Sequence, residues 1–260
     1  MGRTIEYKKL LDTLKGKTVE RPNRRSAGTL SGHAAGEPFE KLVYNELKNE
    51  YPENIYKQYE LLNDIYLRNP KVITVEERYK LFDSPVALFL LSRGDRATKQ
   101  WNPNNIFEEK QNDTADIVFS VKGRYDLIDV KTHNVEKKSQ PPNIISSYKL
   151  AQTCARMIDN NEFHSVTLNY IEVDWVEHGD RLVCTDAHYR SLFMSDPTSL
   201  YINWTAGLQI QLHVVDMDQS WKGDMQTWAH GYIAHFVDSA EKRCERMREE
   251  YIIPFIKYLK

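Results

Sequence analysis

The fold-deciding stretch is Ala115-Asp116-Ile117-Val118-Phe119, followed by a turn at Lys122-Gly123-Arg124 and by Leu127-Ile128-Asp129-Val130-Lys131. Two apolar, β-branched runs around a short turn predict a β-hairpin. Because side chains alternate between the faces of a strand, Asp129 and Lys131 point one way, while Ile128 and Val130 point into the core. Paired carboxylates beside a lysine can hold Mg²⁺ against a phosphate, which suggests a phosphodiester-cleaving enzyme.

A plainer interpretation of the same residues is a surface hairpin with an exposed Asp129–Lys131 pair, which contributes little free energy. The acidic-x-lysine pattern is common in this chain, as shown by Glu6/Lys8, Glu46/Lys48, Glu108/Lys110 and Glu136/Lys138. Asp129 and Lys131 differ from these pairs because they lie in an apolar strand next to a second strand that begins with an aspartate. On this segment alone both interpretations stay open.

Composition narrows the function classes. The 260 residues are 41% hydrophobic, which is enough for a substantial core, and no apolar run is long enough for a membrane span. We expect a cytoplasmic protein, because the first residues lack a signal peptide and the three cysteines are widely spaced with no Cys-x-x-Cys pair. The net charge of −2 gives no sign of a strongly basic nucleic-acid-binding surface.

Hydrophobic spacing and turn residues outline the secondary structure. Apolar positions predict helices over about 37–51 and 225–259, the second with a break before Pro254, and a mainly helical region over 54–92 that is interrupted at Pro70 and Pro85. Ser146 or Ser147 can cap a helix that runs to about Asp159. Alternation predicts strands over 165–176 and 207–215. This mixture, without a βαβ rhythm, predicts an α+β or mixed α/β fold.

Longer blocks of sequence carry a resemblance. They are Gly28–Tyr44, Glu108–Asp116, Asp129–Thr132, Pro142–Ser146, Tyr201–Trp204 and Gln209–Gln211. In order along nearly the whole chain, these blocks resemble the HincII family of type II restriction endonucleases, within the PD-(D/E)xK nuclease superfamily. The resemblance implies one restriction-endonuclease-like domain over residues 1–260, with a central mixed β-sheet flanked by helices. It also implies a bacterial homodimer that acts on double-stranded DNA, without a membrane.

The resemblance further implies Mg²⁺-dependent cleavage at the centre of the palindrome GTYRAC, which leaves blunt ends and 5′ phosphates. Asp116, Asp129 and Lys131 fall on the family's catalytic positions, and Asp116, Asp129 and the backbone carbonyl of Val130 on its metal ligands. Lys131 can orient the attacking water or act as a base only once the metal is bound. A methyltransferase of the same system would protect the host. Another specificity such as GTTAAC, a repair or nicking nuclease, and a non-cutting DNA-binding protein remain alternatives.

DNA contacts are expected from two recognition segments, around residues 131–145 and 195–211. By resemblance the DNA-binding residues are Ser139, Gln140, Asn143, Tyr201, Asn203 and Gln111. Gln140 matches a position that inserts toward the central base step, and Asn143 can donate to a purine N7. Glu37 and Glu40 are candidates for an accessory metal or water contact, although Glu37 can also simply complement the helix dipole. Glu136–Ser139 is less similar to the family, which leaves the specificity less secure than the activity.

Overall fold

A computed structural model describes residues 4–22, 32–58, 60–61, 84–91 and 114–259. The helices are α1 (Tyr7–Leu14), α2 (Gly32–Glu50), α3 (Pro85–Leu91), α4 (Ser147–Asp159), α5 (Met225–Met247) and α6 (Ile253–Ile256). The strands are β1 (Thr18–Glu20), β2 (Ile55–Tyr56), β3 (Ile117–Val121), β4 (Arg124–Asn134), β5 (Asn143–Ser146), β6 (Val166–His178), β7 (Arg181–Ser191), β8 (Ile202–Asn203) and β9 (Gln209–Gln211).

Two sheets organise these elements. The larger one has six strands in the order β1-β7-β6-β4-β3-β2, and it is mixed because β4 runs parallel to β6 while the other neighbours are antiparallel. The smaller one has three antiparallel strands in the order β5-β9-β8. The predicted mixed α/β fold with a central mixed sheet flanked by helices is therefore confirmed.

The predicted hairpin is present as β3 and β4. The turn consists of Lys122 and Gly123, which both have positive φ angles of 46° and 75°. Two consecutive residues of this kind form the type I′ geometry that matches the twist of paired strands, and glycine accepts it without steric cost. Beyond Ile128, the partner of Ile117, β4 continues for six residues past the end of β3.

Apolar side chains cover both faces of the large sheet. On one face, α1 and α2 pack against Ile117, Ile128, Val130, Ile171 and Trp175. On the other face, α3, α4 and α5 pack against Val118, Leu127, Leu168 and Tyr170. Asp129 and Lys131 alternate with Ile128 and Val130, so they lie on the second face, near the end of that core.

Local sequence explains the helices that frame the site. In α2, Phe39, Val43 and Leu47 follow one another at four-residue spacing, and each is at most 1% exposed. Helix α4 begins after Ser146, whose hydroxyl accepts a hydrogen bond from the Lys149 N–H. That serine cap was predicted, and it fixes the helix directly behind strand β5.

Several predicted bounds were wrong. Helix α2 begins at Gly32, five residues before the predicted start, and Pro38 lies inside it. Within 54–92, residues 55–56 form strand β2, and Pro85 begins α3 because the first helical turn does not need its N–H. Pro70 lies outside the described residues. The strand expected over 207–215 is only the three-residue β9, and a 3₁₀ turn over Val214–Asp216 follows it.

The last helical stretch differs from the rest of the chain because little of it is buried. Helix α5 ends at Met247, a π-helical turn spans Arg248–Ile252, and α6 follows, so the predicted break before Pro254 takes the form of a π turn. From Glu241 to Leu259 every residue except Arg243 is exposed. No helix in the described part of the chain combines the length and apolar character that a membrane span requires.

Candidate active site

A cleft of about 720 Å³ opens where β4 runs past the end of β3. Its lining includes the candidate catalytic residues Asp116, Asp129 and Lys131, and also the backbone-ligand candidate Val130. The other candidates in the lining are Glu37, Glu40, Ser139, Gln140 and Asn143. The structure therefore brings together residues that are up to about a hundred positions apart in sequence.

Asp116 occupies the place where the hairpin ladder stops. Its Oδ2 accepts a hydrogen bond of 2.8 Å from the backbone N–H of Val130. Val130 lies two positions beyond Ile128, the last residue of β4 that pairs with β3. In an antiparallel ladder the N–H and C=O of one residue point to the same side of the strand. The Val130 carbonyl therefore points to the same strand edge as the Asp116 carboxylate.

Asp129 and Lys131 form a close ion pair on the second face of the large sheet, the face covered by α3, α4 and α5. Lys131 Nζ lies 2.6 Å from Asp129 Oδ2, and the two side chains are only 20% and 16% exposed. Burial acts to lower the pKa of Lys131, yet the surrounding carboxylates outweigh it and leave that pKa above its ordinary value. In the metal-free site Lys131 is therefore a cation and a hydrogen-bond donor.

The charged form of the Asp116 carboxyl group is disfavoured in the metal-free site. Burial, together with the charge and hydrogen bonding of nearby Asp129, raises the pKa of Asp116 to about 8. Burial and the charge of Asp116 also raise the pKa of Glu40, although a hydrogen bond from Lys57 opposes the shift. A cluster of carboxylates that repel one another in this way favours binding of a cation.

A buried glutamine braces the approach to Asp116. Gln58 is 2% exposed, and its Oε1 accepts hydrogen bonds from the N–H groups of Thr114 and Ala115, at 3.0 and 3.2 Å. Its Nε2 donates to the carbonyl of Leu91 at 2.7 Å. Gln58 thus fixes the two residues that precede Asp116, and it fixes them to the end of α3.

The two predicted recognition segments meet in the small sheet. Strand β5 begins with exposed Asn143, which pairs with Gln211 of β9. The Gln211 side chain links the segments, because its Nε2 donates to the Pro141 carbonyl at 2.9 Å and its Oε1 accepts from Asn203 Nδ2 at 2.7 Å. Tyr201 lies just before β8 and is 65% exposed.

Comparison with known proteins identifies the family to which this chain belongs. The family model described as restriction endonuclease HincII matches residues 10–259. The chain belongs to this family. It is also 53% identical over 253 residues to two curated relatives, with 97% of each chain covered. One is the type II restriction enzyme HindII of Haemophilus influenzae (strain ATCC 51907 / DSM 11121 / KW20 / Rd), and the other is the type II restriction enzyme HincII of Haemophilus influenzae.

Membership in the HincII family confirms the family that the sequence blocks predicted. The roles of individual residues stay predictions. Of the predicted residues, Gln111 lies outside the described part of the chain. Tyr201 and Asn203 do not line the cleft themselves, and Asn203 reaches it only through Gln211.

The structure adds to this HincII-family site two residues that sequence patterns did not single out for a role. Glu172 is 1% exposed and is paired in register with Lys131 on the neighbouring strand. His213 lines the cleft and donates from Nδ1 to Glu172. The alternation of β6 predicts which way Glu172 points. Its partners could not be predicted locally, because Lys131 lies 41 residues before it and His213 lies 41 residues after it.

The donor set of this HincII-family cleft fits Mg²⁺. Among the described residues no three His, Cys, Asp or Glu side chains form a metal-binding group, so a side-chain-only site is absent there. Two carboxylates and one carbonyl nevertheless converge at Asp116, Asp129 and Val130. Mg²⁺ prefers oxygen donors, keeps several water ligands and is commonly held by one or two carboxylates. The chemistry of these donors therefore matches Mg²⁺ and does not match a softer metal.

Proposed function

We propose that this chain is a type II restriction endonuclease that requires Mg²⁺ and cuts both strands of duplex DNA at the centre of GTYRAC, leaving blunt ends with 5′ phosphates. The observation that carries this proposal is the convergence of Asp116, Asp129 and Lys131 at one strand end, in a member of an endonuclease family. Two relatives that are 53% identical over almost their full length are named type II restriction enzymes.

In this mechanism Asp116 and Asp129 hold the metal, with the Val130 carbonyl as a third donor. The bound Mg²⁺ would polarise the phosphate, lower the pKa of the attacking water and stabilise the leaving oxygen. Asp116 must lose its proton to serve as a ligand, and because its pKa is raised to about 8, metal binding near neutral pH would release that proton.

Lys131 provides positive charge and orientation. Because its pKa is raised above the ordinary value, Lys131 is a poor base in the metal-free site. Its ammonium group can instead donate to the attacking water and to the phosphate oxygen on which charge develops. The ion pair with Asp129 keeps Nζ in the cleft.

Base recognition is assigned to the two segments joined by the small sheet. Asn143 is exposed at the start of β5 and would donate to a purine N7, an acceptor that adenine and guanine share. Gln140 and Ser139 are exposed in the loop that precedes it and line the same cleft. Insertion of Gln140 at a pyrimidine–purine step would use the ease with which such steps unstack.

The palindromic target requires two copies of the site, so the proposed active form is a homodimer with twofold symmetry. Glu37 and Glu40 are assigned an accessory water or metal contact, since both line the cleft. The enzyme would act in the bacterial cytoplasm beside a methyltransferase that modifies the same sites. That methyltransferase is a functional partner and needs no physical contact.

Digestion of a plasmid with known GTYRAC sites tests the proposal. Purified protein with Mg²⁺ should give discrete fragments, and end sequencing should place blunt cuts at the centre of each site. The Asp129→Asn variant is the matched inactive control, because it removes one charge and keeps the side-chain shape. Cutting at GTTAAC alone would narrow the specificity. Nicks, ladders or a gel shift without cutting would reject a type II activity.

A further inference from the structure

Buried Glu172, on the strand next to β4, connects the neighbourhood of Lys131 to the turn that follows β9. It lies beside Lys131 in the parallel pair of β6 and β4, and both of its oxygens are used. Oε1 accepts a 2.8 Å hydrogen bond from His213 Nδ1, and Oε2 accepts a 2.7 Å bond from the Val214 N–H. Burying a carboxylate is costly unless its partners are fixed. Glu172 therefore fixes the orientation of the His213 ring.

The remaining ring nitrogen of His213 is available to a ligand. Nδ1 is engaged by Glu172, while Nε2 makes no hydrogen bond within the described residues, and the side chain is 19% exposed in the cleft wall. The ring also packs against His133 at a centroid distance of 4.6 Å. His213 follows Gln211, which links the two recognition segments.

We infer that His213 is a further DNA-contacting residue, which donates from Nε2 to a backbone phosphate oxygen, and that Glu172 is the residue that positions it. This inference rests on the proposed function, because the phosphate belongs to the DNA substrate. Since Nδ1–H donates to Glu172, Nε2 can donate only when the ring carries a second proton. A phosphate on one side and a carboxylate on the other stabilise that imidazolium, so DNA binding takes up a proton.

Other charged groups surround this ring and must be considered in any pH dependence. His133 on β4 contacts the ring, and the neighbouring elements also carry Lys131 on β4, Asp174 on β6, His188 and Arg190 on β7, and Asp216 on the turn of His213 itself. His133 and His188 both contact Asp174, at 3.0 and 3.1 Å. These three residues are left in place by a His213 substitution, so a His213 variant isolates the contribution of its own ring.

Proton uptake on DNA binding is the test. Isothermal titration calorimetry with a GTCGAC duplex in EDTA, in buffers of different ionisation enthalpy between pH 6 and 8.5, should show uptake by the wild-type protein. His213→Gln should lose up to about one proton per chain and lower the salt-dependence slope by about 0.9, equally on specific and non-specific duplexes. His230→Gln, an exposed histidine on α5, is the matched control and should change neither quantity.

Glu172→Gln tests the positioning role. It should also reduce proton uptake, and Glu172→Asp should restore part of it, which a purely structural role would not predict. If the Glu172 variants do not fold, the imidazole resonances of His213 in the wild-type protein give the answer, because they should shift to those of an imidazolium on addition of duplex at neutral pH. Unchanged proton uptake and salt slope in His213→Gln would overturn the inference even if the wild type cuts DNA. A wild type that does not bind duplex would overturn the proposed function first.

A different feature, the exposed C-terminal arm of residues 248–259, carries a second inference. Its apolar residues are 51–78% exposed, and they are Tyr251, Ile252, Ile253, Phe255, Ile256, Tyr258 and Leu259. At about 200 Å² for each large side chain, they offer roughly 800 Å², the area that each partner buries in a standard interface. They fill seven of the nine positions from 251 to 259, more than one helical stripe would hold, and a stretch so apolar is normally buried.

We propose that a second copy of this chain covers the arm, and that the arm forms part of the dimer contact. In a twofold dimer each arm is buried by the other chain, so one patch on the sequence serves both partners. Monomeric proteins rarely expose an apolar patch of this size.

Sedimentation of the full chain tests this arrangement. The wild type should be a dimer at micromolar concentration, and the double variant Tyr251→Ser/Phe255→Ser should shift toward monomer by at least tenfold in dissociation constant. Met194→Ser, at a side chain that is 46% exposed elsewhere, should leave the dimer unchanged. A variant that stays dimeric would overturn the role of the arm but not the endonuclease activity. A wild-type monomer would overturn the arm contact and the proposed dimer together.

Discussion

Replacing Asp116 by Asn should stabilise the metal-free protein at neutral pH, even though it removes a proposed metal ligand. The pKa of Asp116 is raised to about 8, because the group is buried beside Asp129. In an unfolded chain the pKa of aspartate is about 3.9. Between these values the folded protein keeps a proton that the unfolded chain has released, so the free energy of unfolding falls as pH rises.

The expected change in the free energy of unfolding follows from the pH range between the unfolded and folded pKa values of Asp116. Each pH unit within it changes the free energy of unfolding by up to about 1.4 kcal/mol, so from pH 5 to pH 7 the contribution of Asp116 falls by up to about 3 kcal/mol. The Asp116→Asn variant has no proton to exchange at this position and lacks that slope. The difference in stability between variant and wild type should therefore grow with pH in favour of the variant.

Urea unfolding in EDTA at pH 5, 6 and 7 measures this difference directly. Asp186→Asn is a matched control with the opposite sign, since a hydrogen bond from Lys15 lowers the pKa of Asp186 on the surface. Its effect should be confined to acid, where stability from Asp186 is lost. If wild type and Asp116→Asn show the same pH dependence from pH 5 to 7, the electrostatic account of the site is wrong.

Three further outcomes are expected. Lys131→Ala should bind duplex DNA as the wild type does in a gel shift but cut it about a hundredfold more slowly, and near-normal turnover would remove the lysine from the mechanism. Asn143→Ala should slow cleavage of every GTYRAC variant by about tenfold in a competition digest, whereas unchanged cutting would exclude a base contact. Phe39→Ala should lower the free energy of unfolding by about 3–5 kcal/mol in denaturant titration, while Met194→Ala, at an exposed side chain, should change it little.

Local patterns predicted the parts of the fold that depend on neighbours in sequence. These local features involve residues only a few positions apart. They are the four-residue spacing of Phe39, Val43 and Leu47, the Ser146 cap, and the Lys122-Gly123 turn. Strand β7 was not predicted, because its alternation is weak and its pairing depends on β6 and on distant β1. The pairing of Thr18 with Val183 joins residues more than 160 positions apart.

The same difference between local and long-range contacts explains which residues of the site could be predicted from the sequence. Asp116, Asp129 and Lys131 were predicted because one hairpin places them, and the period of a strand fixes the face of each side chain. Gln58 and Glu172 were not predicted, because their importance arises only when separate elements pack together. Gln58 acts on residues 56 and 57 positions away, and Glu172 on a turn 41 residues later.

The hydrogen bonds of Asn203 have a consequence for sequence discrimination. Its oxygen already accepts from the Thr205 N–H, the Thr205 hydroxyl and the Ala206 N–H, and its nitrogen donates to Gln211. If Asn203 contacts DNA as proposed, that contact would replace existing bonds more than add new ones, with a net gain near the roughly 0.5–1.5 kcal/mol of a single exchange. Selectivity at Asn203 would then depend on whether the bond that a given base offers compensates for loss of the bond to Gln211.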